Sequence, residues 1–269
     1  MLNYLEPESN TTISEVAQLA KASLANDGYI IIRNFGKDTD ELRTKFRMIS
    51  EEIGDPVPHD SHNTIVWDIK SNPESIGFIK TYSEHNHEAE LHTDSQYSYY
   101  PEDFFGLLTL KKANCGGGMS YLLSLKDILT SIRSGDNNQS LEETLSNEKF
   151  PFIVPNVFKK DSSKGREYNF GPILRPNEIR FRVDTFEKAI AENPEFCTPK
   201  QIEAYHVLKS MILNSDKIKR FYLEDRDLIF INNKTMLHGR SSFTDSNRHL
   251  LRIRMNKKGV QTTFKGLNK

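Results

Sequence analysis

Residues 91–125 read LHTDSQYSYYPEDFFGLLTLKKANCGGGMSYLLSL. Three runs rich in aromatic and branched residues, 91–99, 104–113 and 119–125, are separated by Pro101-Glu102-Asp103 and by Gly116-Gly117-Gly118. That pattern predicts strand, strand, glycine turn and strand. In the first run His92 and Asp94 stand two apart. Alternate residues of a strand project from one face, so this imidazole and carboxylate can reach one metal ion. A distant second histidine would complete a set of two His and one carboxylate. Such a set leaves coordination positions open and suits non-haem Fe(II). The competing reading is a strand histidine beside a solvent-facing aspartate. Eight His and 37 acids in 269 residues predict about one His-x-acid pair by chance, so the motif needs its context.

Outward from this stretch the chain stays mostly β. Upstream, Ile13, Val16, Leu19, Ala20 and Leu24 recur at helical spacing until Asn26-Asp27-Gly28 stops the helix. YIIIRNF (29–35) reads as a buried strand. A second helix is expected over 38–53, with Leu42, Phe46, Ile49 and Ile53 on one face. Residues 10–55 thus form a helix-strand-helix cover for a β core expected over about 75–255. SIGFIKTYS (75–83) opens that core as a strand, and 126–147 reads as helical. Residues 151–183 hold short strands, and 199–215 reads as a helix. DLIFINN (227–233), TMLHGR (235–240) and HLLRIRM (249–255) close the core as strands. The tail, 256–269, is expected to be loose. With no repeat or low-complexity linker, residues 1–269 are expected to form one domain, mainly β with peripheral helices, of jelly-roll or barrel architecture.

Composition excludes several classes of function. Lys and Arg number 36 against 37 Asp and Glu, so no basic footprint for nucleic acid is present. No apolar run approaches the roughly 20 residues that a membrane span needs. The first residues, MLNYLEPESN, lack the basic and apolar regions of a secretory signal. Cys115 and Cys197 are the two cysteines, too few for a disulfide framework, and a cytoplasmic location is expected. The expected partner is a small molecule.

Four segments together resemble the Fe(II)/2-oxoglutarate-dependent dioxygenases of the taurine dioxygenase and clavaminate synthase-like (TauD/TfdA) group. They are DGYIIIRNF (27–35), residues 91–125, IRFRVD (179–184) and DLIFINNKTMLHGRSSFTDSNRHLLRIRM (227–255). The resemblance implies a double-stranded β-helix, with His92, Asp94 and His238 holding Fe(II). It implies 2-oxoglutarate and O2 as co-substrates, with succinate and CO2 released. Arg248 matches the arginine that takes the far carboxylate of 2-oxoglutarate, Arg252 would reinforce it, and Ser120 would donate a hydroxyl. A planar guanidinium fork pairs a carboxylate bidentately, so arginine suits that task. Arg226 stands where the group has glycine, and Ser120 where it has threonine.

The substrate is less legible. Relatives oxidise amino acids, and Asp184 matches an acid that binds the basic side chain in arginine hydroxylases, although the second acid of that pattern is Phe186 here. Gln96, on the expected face of Asp94, and Glu84, in the loop with Glu88 and Glu90, are further candidates. The expected reaction is hydroxylation of a free amino acid, basic like lysine or arginine. The alternatives are oxidation of a small sulfonate or other anion, and a non-catalytic jelly-roll binding module. An extra arginine facing the iron would favour the anion. Arg254, His59, His62 and His206 are expected at the surface, and Tyr97 and Tyr99 in the sheet. His85 and His87 are expected in a solvated loop, and His249 on the far side of its strand.

Overall fold

In a computed structural model, residues 2–36, 38–59, 63–70, 82, 85–135, 138–155 and 165–259 are described. Apart from Tyr82, which lies in a turn, the strand expected over 75–83, with Glu84, His62 and the last part of the tail, lies outside them.

Two sheets face each other. The first runs in the order β1 (Tyr4–Leu5), β2 (Tyr29–Ile32), β13 (Leu228–Asn232), β6 (Phe104–Lys111), β15 (His249–Lys257) and β3 (Gly54–Val57), and β4 (Trp67–Lys70) also pairs with β15. The second runs β12 (Lys219–Phe221), β7 (Ser120–Ser124), β14 (Met236–Arg240) and β5 (Ala89–His92). Apart from β1 with β2, the pairs in both sheets are antiparallel.

Both sheets are covered by helices, which explains why central strands read as continuous apolar runs rather than alternating ones. On the outer face of the first sheet lie α1 (Ile13–Asn26) and α2 (Thr39–Ile53). Their Val16, Leu24, Phe46 and Ile49 pack with Ile30, Ile32, Phe230 and Ile253. The alternate residues, Tyr29, Ile31, Ile229 and Leu250, turn inwards and meet Leu122, Phe221 and Met236 of the second sheet. Behind the second sheet stand α3 (Leu125–Ser134), α4 (Asn138–Asn147), α5 (Val183–Glu192) and α6 (Pro199–Leu213), packed on Leu91, Leu123 and Leu237. Thr12 and Thr198 cap α1 and α6 with reciprocal capping boxes, satisfying amides that a helix start leaves open.

Period-two alternation then decides what faces the space between the sheets. In β14, Leu237 turns to the helices while Met236 and His238 turn inwards. In β15, Leu251, Ile253 and Met255 turn to α2 while Leu250, Arg252 and Arg254 line the inner space.

Three expectations need correction. The run 91–99 is a strand only to His92; Asp94 lies in a turn, and Ser95 takes a left-handed backbone (φ 53). IRFRVD, in the stretch expected to hold short strands, is not one. That stretch pairs β8 (Phe150–Ile153) with β9 (Tyr168–Gly171) and β10 (Leu174–Arg175) with β11 (Glu178–Ile179), and Asp184 sits in the first turn of α5. Asn256 and Lys257, expected in the loose tail, belong to β15.

Candidate metal centre

His92 and His238 face each other as Cα partners across β5 and β14. The two strands come this close because position 239 is glycine: a Cβ there would stand 2.7 Å from the Ala89 carbonyl oxygen. The imidazole centroids are 4.2 Å apart. Asp94 Oδ1 lies 3.7 Å from His92 Nε2 and 3.8 Å from His238 Nε2. The three ligand atoms all fall within 4.8 Å of one another, the single such group among the described residues. The His92 Nδ1 donates to the Glu90 carbonyl oxygen at 2.7 Å. A carbonyl only accepts, so that bond fixes the tautomer and turns the Nε2 lone pair towards Asp94.

Strand alternation was expected to aim Asp94; a side chain from the other sheet's connection does so instead. The Asn233 amide oxygen accepts from the Asp94 N–H at 2.8 Å. Its Nδ2 donates to the Asp94 carbonyl at 3.1 Å and to the Glu102 carbonyl at 2.9 Å. Both peptide groups flanking the Asp94 side chain are therefore clamped. The carboxylate is held as well, since Arg252 Nη1 donates to Oδ2 at 3.0 Å and leaves Oδ1 to the histidines.

Electrostatics prepare the site for a cation. Burial opposes ionisation of Asp94, but Arg252 and then the nearness of His92 and His238 hold its carboxyl well below the usual range. Burial, and then His92, push His238 well below the ordinary imidazole value, so it is neutral and has a lone pair to give. Two imidazoles and one ionised carboxylate, all buried or half-buried, form the donor set that a divalent ion such as Fe(II) requires.

The chamber around the triad is lined by Ser120, Tyr82, Tyr97 and Phe105, and by five guanidiniums: Arg182, Arg240, Arg248, Arg252 and Arg254. Arg248 and Ser120 thus both face the triad, although Arg248 lies just before β15 rather than in it. Burial, then Arg240, lower Arg248 to about 9. Among the described residues no carboxylate lies within ion-pair distance of Arg248 or Arg240. Their guanidiniums share the Phe243 ring, at 5.0 Å and 4.5 Å from its centroid.

Several candidates fall elsewhere. Gln96 does not line the chamber: it is fully buried, and its Nε2 donates to the Thr185 hydroxyl at 2.9 Å. Asp184 is taken by Arg182 in a two-pronged pair, Nε to Oδ1 at 2.6 Å and Nη2 to Oδ2 at 2.9 Å. It borders a second, shallower pocket with Tyr82, His85, His87, Glu88, Glu90 and Lys188. Arg254 is not a surface charge; it is buried, faces the chamber and pairs with Glu102 at 3.4 Å. His59 is buried too, stacked on Trp67 at 5.6 Å, while His206 is exposed as expected. Tyr97 lines the chamber and Tyr99 is exposed; neither lies in a strand. His249 turns away from the triad to Asp68, 2.5 Å distant. Asn233, Arg182 and Arg240 went unnoticed as site residues. For Arg240 a signal existed, because it shares the strand parity of His238.

Comparison with known proteins places this geometry. Residues 5–254 match the family described as taurine catabolism dioxygenase TauD, TfdA family. No curated protein matches the sequence significantly. Among solved structures, an asparagine oxygenase in complex with Fe(II), 2S,3S-3-hydroxyasparagine and succinate superposes with a TM-score of 0.71 at 16% identity, covering 91% of this chain and 79% of its own. PvcB from Pseudomonas aeruginosa gives 0.62 at 19% identity, with 94% and 84% covered. The non-heme iron oxygenase OrfP in complex with Fe and alpha-ketoglutaric acid gives 0.62 at 15% identity, with 91% and 79% covered. At these identities the likeness is one of fold.

Proposed function

The chain belongs to the TauD, TfdA family of dioxygenases, and on that premise we propose that it hydroxylates an unactivated C–H bond of a small polar amino acid, with Fe(II) as cofactor and 2-oxoglutarate and O2 as co-substrates. The observation that carries this reading is the convergence of His92, Asp94 and His238 within 4.8 Å beside a guanidinium, Arg248, that has no carboxylate of its own among the described residues. The two facing sheets are read as a double-stranded β-helix and residues 1–269 as one dioxygenase domain.

When bound, Fe(II) with 2-oxoglutarate and O2 supplies the oxidising power, and succinate and CO2 leave as by-products. The protein's own residues supply position and dryness. His92, Asp94 and His238 would hold the ion. Arg252 and Asn233 keep Asp94 from rotating away. Arg248 and Ser120 would grip the far carboxylate of 2-oxoglutarate, a charge-assisted contact of about 1.5–3 kcal/mol. Phe105 and Tyr82 close over the imidazoles, with ring centroids 4.5 Å from His238 and 4.4 Å from His92, and keep water off them. A neighbouring asparagine oxygenase and OrfP with 3S-hydroxy-L-arginine make amino acids the natural substrate class. A second reading, oxidation of a sulfonate or other small anion, is favoured by the arginines of the chamber. The non-catalytic reading is opposed by the intact triad.

The test supplies Fe(II), 2-oxoglutarate, ascorbate and O2, and measures succinate and oxidised product by mass spectrometry over free amino acids and small sulfonates. Substrate-stimulated succinate, with a product one oxygen heavier and lost in Asp94→Ala and His238→Ala, is expected. Failure of the wild type to bind iron would refute the reading.

A further inference from the structure

The substrate's charge is written into the chamber. A basic side chain would need a free carboxylate, and the acid that the resemblance matches to that role, Asp184, already holds the protein's own guanidinium, Arg182, in a two-pronged fork. The position that a substrate ammonium or guanidinium would occupy on that carboxylate is filled from within the chain. Arg252 and Arg254 are likewise matched, by Asp94 and Glu102. Among the described residues five guanidiniums thus face three carboxylates, and the two with no carboxylate partner are Arg248 and Arg240.

A divalent metal ion and dianionic 2-oxoglutarate cancel each other in charge, so the surplus survives when both are bound. Arg248 is claimed by the co-substrate in the reading above. Arg240 then remains. It is 8% exposed, two residues along β14 from His238, and lies on the same inward face. Its Nη1 and Nη2 donate to the carbonyls of Ser241 and His85, both at 3.0 Å. Those neutral bonds fix the guanidinium in place without neutralising it. The acid nearest in its field, Glu88, is exposed to water. A charge taken this far out of water without a counter-ion is costly, and a bound anion removes that cost.

We propose that the substrate enters with a net negative charge, an acidic rather than a basic amino acid or an equivalent small anion, and that Arg240 is the residue selecting it. This deepens the oxygenase reading and rests on it.

The protein loaded with Mn(II) and 2-oxoglutarate would be titrated calorimetrically with L-aspartate, L-glutamate, L-cysteate, L-asparagine, L-glutamine, L-lysine and L-arginine, and the same compounds assayed for succinate with Fe(II). The expected result is that an acidic member binds and turns over at least about tenfold better than its neutral and basic counterparts. Preference for L-cysteate over L-aspartate would assign the anion as a sulfonate rather than a carboxylate. Arg240→Gln should weaken the acidic ligand by about 10–100-fold, the loss of one charge-assisted contact, and leave the KM for 2-oxoglutarate within about twofold. Arg240→Lys should keep part of the preference, and the wild-type series decides the matter even if both variants fold poorly. Equal or better binding of a neutral or basic member overturns the inference. So does an Arg240→Gln effect confined to the KM for 2-oxoglutarate, and so does binding of no member by protein that still takes up metal and 2-oxoglutarate. Loss of metal or 2-oxoglutarate binding itself would instead remove the oxygenase reading beneath it.

Discussion

At the scale of single residues, Asn233 does the work that strand alternation was expected to do. Because Asp94 lies in a turn, nothing in its own backbone repeat aims its carboxylate; the amide of Asn233 fixes the peptides on both sides of it. Asn233→Ala should leave both imidazoles in place and weaken Mn(II) or Fe(II) binding by about 10–100-fold, the usual cost of losing support behind a ligand. A metal titration with the melting temperature of the metal-free protein as control checks it, and unchanged affinity would show that Arg252 alone orients Asp94. His59 invites a different measurement. Burial, then Arg252 and Arg254, lower it from 6.5 to about 2. Its folded value lies below its unfolded value, so its stabilisation is complete above about pH 6.5 and lost progressively as the pH falls towards 2. Between pH 7 and pH 5 the wild type should therefore lose about 1–2 kcal/mol more stability than His59→Asn, read from urea midpoints. An identical pH dependence in the two proteins would contradict its burial as a neutral ring. His92 was legible because a metal motif has a spacing. His59 and Arg254 were not, because burial of a charged or polar side chain depends on which strands become neighbours, and spacing along one strand does not say.

At the scale of elements, the sequence was most readable where one periodicity ran long. The apolar faces of α1, α2 and α6, and the runs of β6 and β13, stand within a residue or two of where the spacing places them, while β2 ends three residues early, at Ile32. It was least readable at α5. There IRFRVDTF alternates like a strand for six residues, and only Val183, Phe186 and Ala189, buried one turn apart, reveal the helix. The two-residue strands, and edge strands such as β3 and β4, carry too few residues for any period to register. Gly106 shows how tightly the well-read elements meet. It lies in β6, paired with Phe230 of β13 and beneath Phe46 of α2, and an added Cβ would stand 2.7 Å from both rings. Rings packed at 5.9 Å can retreat only by lifting the helix. Gly106→Ala should accordingly destabilise the fold by about 1–3 kcal/mol in chemical denaturation, as overpacked cores do. A change below about 0.5 kcal/mol would mean that α2 sits more loosely on the sheet than the contact distances indicate.

At the scale of the whole molecule, the triad is where the two sheets are joined by chemistry rather than by packing alone. His92 ends β5 and His238 lies in β14, both in the second sheet, whereas Asp94 is held by Arg252 from β15 of the first. An ion on these three ligands would tie the inner face of one sheet, through a carboxylate and a guanidinium, to the other. The unfolded chain scatters those ligands over 147 positions, from 92 to 238, and offers no comparable site, so the free energy of binding adds to that of folding. With free Mn(II) at about a hundred times its dissociation constant, the gain is about 2.7 kcal/mol, and the melting temperature should rise by about 5–10 °C for a chain of this length. Chelation should reverse the rise. His238→Ala, which removes one ligand and leaves the Asp94 and Arg252 pair intact, should abolish most of it. Equal stabilisation of wild type and His238→Ala by Mn(II) would place the ion elsewhere on the molecule, and with it the chemistry argued from this triad.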